Sequence, residues 1–347
     1  MALEVEWYDF VCFGIVGVAL IGALWVLWKK ETVSRRQYDS RYESLLVARP
    51  DHEVDATSLP KGHVSAAQLW TSSWRGLNPL WLLSTRFTSF LVMAVLLTWD
   101  ALKNGSAIFY YYSEWTFTLV MIYFALASVV SAYGCWHNLK PSEHGAEADY
   151  LRRDLEESMS SDTVTYEEKE TRGSIKLQSL YAGEEFQQRA GFWGYLMQII
   201  YQICGGAVII TDIVYWGVIV PFLTISRLKL NSLMGFMHTL NLAFLLVDTA
   251  LNDLPFPWFR MAYFVLWSCA YIIFLWVAHV CGLSWWPYPF LELDNPWAPL
   301  WYFFLAAFHI PCYWLYVLIV KAKDWESLLQ FQPTTLTQIP ALSERGS

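Results

Sequence analysis

The sequence predicts an all-α polytopic transmembrane helix bundle of about seven spans. Three observations carry that prediction. Charged residues make up only 16% of the chain against 56% hydrophobic ones, whereas a soluble domain is about 25% charged. Apolar runs near the 20 or so residues that cross a bilayer recur along the chain between polar or Pro-containing stretches. All but Lys103, Arg227 and Lys229 of the 23 Lys and Arg fall on one side when the runs are counted as alternating spans. Short basic loops stay in the cytosol, so the N-terminus is expected outside and the C-terminus in the cytosol.

The first span, residues 10–28, closes an N-terminal transmembrane segment 1–28. Glu4, Glu6 and Asp9 precede it, and Lys29, Lys30, Arg35 and Arg36 follow. A cleaved signal peptide has the opposite charge order, so the helix is expected to remain. Residues 29–86 read as a cytosolic loop ending in the interfacial stretch SSWRGLNPLWLLSTR. A transmembrane hairpin occupies 87–136. Residues 137–191 are rich in Glu, Asp and Ser and poor in aromatics, a composition that buries too little apolar surface to fold alone. That segment is expected to be an acidic, partly disordered cytosolic loop. Four further spans fill 192–320, the first long enough to tilt or to kink at Pro221, and 321–347 is a polar cytosolic tail.

One span differs from the rest. Residues 230–252 read LNSLMGFMHTLNLAFLLVDTALN. At about 100° per residue, Asn231, His238, Asn241, Asp248 and Asn252 lie on one face. An ionisable group at the bilayer centre costs about 2.5–3.5 kcal/mol even on lenient scales, so this stripe must face other helices or a wet cavity. Polar residues recur elsewhere in or beside spans: Gln198, Gln202 and Asp212 on one face with Gly205, then Asp100, Glu114, Thr116, Thr118, His279, His309 and the loop residue Glu292. Amides and Thr in membrane helices serve commonly as packing contacts or bond their own preceding turn. His238 stands out because it shares its face with Asn241 and Asp248, and it is the natural base for a hydroxyl nucleophile.

Several classes are absent. The sequence holds no GxSxG, HExxH or phosphate-binding Gly-rich loop, each of which would announce a known chemistry. The six Cys form no CxxC pair and no metal-ligand spacing, so they read as free thiols, with no metal or other cofactor expected. The negative net charge of −8 gives no reason to expect nucleic acid.

The residues from Asn231 to Glu292 resemble the androgen-induced family of membrane hydrolases, which cleave fatty acid esters of hydroxy fatty acids. The resemblance rests on Asn231, on Met237-His238-Thr239, on Trp276 with His279 and Gly282, and on Trp286-Pro287-Tyr288-Pro289-Phe290-Leu291-Glu292. Over roughly residues 70–320 the chain is similar to rolling-stone-like and uncharacterised plant membrane proteins, through Trp115-Thr116-Phe117-Thr118-Leu119. The hydrolase resemblance implies a six-span core formed by spans two to seven, to which the N-terminal helix is an extra, and a Thr–His catalytic pair. The His maps to His238, and the Thr to Thr118, three residues after Trp115 where the hydrolases have four.

Three functional readings follow. In the first, the chain is a structural or partner-binding membrane protein whose cytosolic partners engage 29–86 and 137–191, which suits the rolling-stone-like group and its association with myoblast fusion. The second is a lipid-ester hydrolase in which Thr118 attacks, His238 takes the proton and Asn241 or Asp248 orients the ring. The third is a small-solute or proton transporter using Asp212, His238 and Asp248 as a relay. All three place the protein in the lipid bilayer, whether of an endomembrane or the plasma membrane.

Overall fold

A computed structural model describes residues 6–47, 64–74, 76–138, 190–223 and 232–329. Among the described residues there is no strand, and seven helices are long and apolar enough to cross a membrane. They are α1 (Trp7–Val47), α2 (Pro79–Asn104), α3 (Tyr112–Asn138), α4 (Phe192–Val214), α5 (Ser232–Leu251), α6 (Met261–Val280) and α7 (Ala298–Leu329). The chain is an integral multi-pass membrane protein. Its outer surface supports this, because Val18, Ile21, Val95, Trp99 and Phe303 stand exposed on different helices. In water such a band would be a liability; in lipid it is the required surface. Below, "upper" denotes the end at which α1 begins and α2 finishes.

Local chemistry sets the helix ends. Asn78 accepts from the Leu80 N–H at 3.0 Å with Pro79 in the first turn, so one of the four orphan donors is capped and another is absent. Gly105, at φ 72°, stops α2 in a conformation that costs Gly least. The first helix does not stop at the end of its apolar span: α1 continues through the Lys29–Lys30 pair to Val47. At the far end of α4 the helix widens into a π-helical stretch, Tyr215–Leu223, containing Pro221. Pro has no N–H for the regular ladder, and this is the site of the expected kink.

The central element is α4, packed against α3, α5, α6 and α7. Gly205 and Gly206 permit this. A Cβ on Gly205 would lie 2.7 Å from Tyr316, and one on Gly206 would lie 2.5 Å from Phe264, closer than real side chains approach. The extra helix α1 lies at the edge against α6 and α7, joined by Glu31 to Arg260 at 3.1 Å.

The lower half is tied together by a buried ion pair. Arg86 Nε donates to Asp248 Oδ1 at 2.7 Å, with the two side chains 0% and 1% exposed. The Arg86 Nη1 donates to the Leu69 carbonyl at 2.8 Å and to Ser131 Oγ at 2.6 Å. Asp248 Oδ2 accepts from the Tyr123 hydroxyl and, at 2.9 Å, from Asn252 Nδ2. Beside it Thr249 joins Tyr201 at 2.9 Å and Tyr316 at 2.5 Å. Residues 64–74 close this end: Ser72 and Ser73 donate to the carbonyls of Leu251 and Asn252, each at 2.6 Å, and Trp74 Nε1 donates to Ala250 at 2.6 Å. The first three residues of the stretch that the sequence marked as interfacial, Ser72, Ser73 and Trp74, thus cap α5.

Removing one partner of a buried pair strands the other charge, at about 3–5 kcal/mol. Arg86→Leu or Asp248→Leu should each lower the unfolding free energy by about that amount, followed as thermal unfolding in detergent. Replacing both by Leu should recover most of the loss; equal loss in the double variant would mean that the hydrogen bonds to Leu69 and Ser131 dominate.

Candidate functional site

The polar stripe on α5 is divided between two environments. Asp248 and Asn252 belong to the lower network just described. His238 lies in the upper half, and ten residues separate it from Asp248, about 15 Å along a helix. For that reason Asp248 does not orient the His238 ring. The carboxylate that does is Asp212 of α4, with Oδ1 3.1 Å from His238 Nδ1. The ring also stacks on Tyr215, at the first position of the π-helical stretch, with centroids 3.9 Å apart and planes 15° off parallel. A carboxylate at Nδ1 fixes the tautomer, so that in the neutral ring Nδ1 carries the proton and Nε2 a lone pair. Asn241 is buried, and its Oδ1 has no hydrogen-bond partner among the described residues.

His238 and Tyr215 border a cavity of about 790 Å³ in the upper half of the bundle, within the size range of small-molecule sites. One side is apolar and includes Ile15, Val16 and Ala19 of α1, Met234 of α5 and Leu305 of α7. The lining also includes Asp100 and Asn104 of α2 with Ser113 and Glu114 of α3. Asn104 Nδ2 donates to Asp100 Oδ1 at 2.8 Å. Glu114 is 4% exposed, and its Oε2 has no hydrogen-bond partner among the described residues. Around these acids Tyr111 packs on Tyr288 and Trp285, with ring centroids 5.8 and 6.0 Å apart. The Tyr288 hydroxyl, in the loop after α6, is pushed up to about 12 by burial, so it remains a donor at neutral pH.

A third polar group on the wall joins α3, α6 and α7. Ser268 Oγ lies 2.8 Å from His309 Nε2 and 2.8 Å from the Tyr112 hydroxyl, and His309 Nδ1 lies 2.7 Å from the Leu305 carbonyl.

The structure gathers some of the sequence-marked residues here and leaves others elsewhere. His238 lines the cavity and meets Asp212, which is not among the lining residues. Thr118 is not among the cavity-lining residues; its Oγ1 is buried without a hydrogen-bond partner among the described residues. Thr116 lies nearer, with Oγ1 3.4 Å from that of Thr211, a lining residue. His279 stacks on Trp286 at 4.3 Å, outside the cavity wall. Of the loop motif, Tyr288, Phe290 and Leu291 line the cavity, and Glu292 sits half-buried just beyond them. Asn231 lies outside the described residues, as does most of 137–191, where a partner surface was expected. The relay Asp212–His238–Asp248 is divided, because Asp248 is held by Arg86, Tyr123 and Asn252. Among the described residues no group of three or more His, Cys, Asp or Glu could hold a metal ion.

Sequence reasoning noted His309, Asp100 and Glu114 singly, and it passed over Ser268 and Tyr112. A lone Ser or Tyr in an apolar run carries no periodic signal, and its neighbour across the bundle is 156 residues away in the case of Tyr112 and Ser268.

No family model, curated protein or solved structure matches the chain.

Native thiols test the cavity directly. Cys269 lines it, whereas Cys204 and Cys312 are buried away from it and Cys281 is exposed. With N-ethylmaleimide and peptide mass spectrometry, Cys281 should react first and Cys269 clearly ahead of Cys204 and Cys312. Equal rates for Cys269 and Cys204 would mean that small solutes do not reach the cavity.

Proposed function

We propose that this membrane protein binds a single-chain amphiphile in its upper cavity, with the chain against α1 and a cationic or hydrogen-bond-donating head beside Glu114 and Asp100. The observation that carries this reading is Glu114: a carboxylate oxygen on the cavity wall, buried and without a protein donor among the described residues. An unsatisfied buried acceptor costs about 1–3 kcal/mol, and more when charged. A ligand donor removes that cost. The aromatic rings of Tyr111, Trp285 and Tyr288 line the same cavity, and such rings attract ammonium groups electrostatically, most strongly when desolvated. The apolar wall suits an alkyl chain, which gains about 0.8 kcal/mol per CH₂ removed from water.

The test compares two amphiphiles with the same dodecyl chain, one ending in trimethylammonium and one in sulfate, on protein reconstituted in lipid nanodiscs. The ammonium compound should bind at least about tenfold tighter, equivalent to about 1.4 kcal/mol, and should slow Cys269 modification. Glu114→Gln should remove most of that preference. Equal affinity for the two heads, or an unchanged preference in a folded Glu114→Gln variant, would overturn the reading.

A further inference from the structure

The hydrogen bonds around Ser268 have a definite direction. A backbone carbonyl only accepts, so His309 Nδ1, 2.7 Å from the Leu305 carbonyl, carries a proton. In the neutral ring Nε2 then holds a lone pair, and at 2.8 Å it accepts the Ser268 hydroxyl proton. With its own proton committed, Ser268 Oγ accepts from the Tyr112 hydroxyl at 2.8 Å. The result is a serine whose proton is already shared with an imidazole base, and whose base is in turn oriented by a third group. That is the geometric signature of an activated nucleophile. The sequence places the two residues on separate helices, α6 and α7, 41 positions apart.

A hydroxyl–imidazole bond that served only to hold two helices together would need no access to a ligand. This one has it: Ser268, His309 and Tyr112 all line the cavity, with Val265, Ile272 and Leu305 beside them as apolar wall. His238, bonded to Asp212, lines the same cavity, yet no hydroxyl nucleophile is hydrogen-bonded to its ring among the described residues.

We infer that Ser268 is an acyl-accepting nucleophile with His309 as its general base, acting on a carboxylic ester or thioester whose chain lies in the cavity. The step balances without any redox partner. Ser268 Oγ bonds to the carbonyl carbon as its proton passes to His309 Nε2. The bond from that carbon to the leaving oxygen or sulfur breaks, and Nε2 returns the proton to the departing alcohol or thiol. Water then attacks the acyl-serine carbon and gives a proton to Nε2. That proton returns to Oγ as the carboxylic acid leaves. The assignment rests on the cavity admitting an acyl chain, as in the binding reading above, and it makes no use of Thr118 or His238.

The experiment uses the full chain in phosphatidylcholine nanodiscs with a long-chain alkyl fluorophosphonate, whose phosphorus takes the serine oxygen and expels fluoride. The adduct should map to Ser268 by peptide mass spectrometry, which requires no variant. Ser268→Ala should abolish it, and His309→Gln should slow labelling by about a hundredfold or more, the scale of lost general-base catalysis. Thermal unfolding and dodecyltrimethylammonium binding are measured on each sample. A folded protein that binds the ammonium amphiphile but forms no Ser268 adduct overturns the nucleophile and leaves the cavity reading standing. Labelling at Ser268 with no preference for the ammonium head supports the nucleophile and overturns the headgroup assignment alone. An adduct on another residue that survives Ser268→Ala overturns the nucleophile.

Discussion

Arg86 and Asp248 meet where neither water nor lipid can solvate them, and much of the lower bundle is arranged around bonding them, with Arg86 Nη2 alone of their side-chain polar atoms left without a partner among the described residues. The guanidinium needs several acceptors and finds them on α5, on α3 and on the chain segment before α2. The carboxylate needs donors and takes them from α2, α3 and its own helix. Each bond therefore fixes the rotation of one element relative to another. Apolar packing between membrane helices cannot do this alone, because lipid tails are as apolar as the side chains they would replace. The adjoining Tyr201–Thr249–Tyr316 chain extends the same logic to α4 and α7. Residues 64–74 are bound into the network by their backbone and serine hydroxyls, so this polar-looking stretch is part of the bundle.

The lower half is densely hydrogen-bonded, with Arg86 Nη2 and the Gln198 side-chain amide left without partners among the described residues, and the upper half encloses the cavity. There α4 gives up regular helical geometry at Tyr215, and π-helical turns are found frequently at functional sites. The polar groups around the cavity form three separate sets: Asp212 with His238, Ser268 with His309 and Tyr112, and Asp100 with Glu114 and the tyrosines. Buried polar groups without protein partners, Glu114 Oε2 foremost, are expensive in a low-dielectric interior. Among the described residues Glu114 Oε2 is the one such atom on a residue that lines the cavity, and it is the physical reason for reading the cavity as a binding site. The contrast with Asp248, whose two oxygens are both bonded, distinguishes a structural acid from one with capacity left over.

The motifs behind the resemblance to membrane hydrolases of fatty acid esters fall unevenly on this arrangement. His238 and the loop residues Tyr288, Phe290 and Leu291 border the cavity. Thr118 does not, and the difference of one residue in its spacing from Trp115 is a plain reason: a single helical step turns a side chain by about 100°. A short motif transfers residue identity, but it transfers a site only if the helix carrying it keeps its rotation. Thr116, two positions earlier, faces α4, while the Thr118 hydroxyl has no partner among the described residues.

The helical class, the number of spans and the existence of a polar face on α5 were all readable from composition and periodicity. Hydropathy accumulates along one chain, and amphipathicity is a property of one helix, so neither requires knowledge of what lies opposite. The same reasoning expected a tilt or a kink at Pro221 for the span that became α4, and required the α5 stripe to face other helices or a wet cavity. It could not divide that stripe into a lower structural half and an upper cavity half, nor give His238 its partner on α4, nor bring Ser268 to His309. Those outcomes depend on the relative rotation and height of separate helices. Glycines that allow close approach set these, as do ion pairs that lock one register and the pairing of groups distant in sequence. They exist only once the helices have packed.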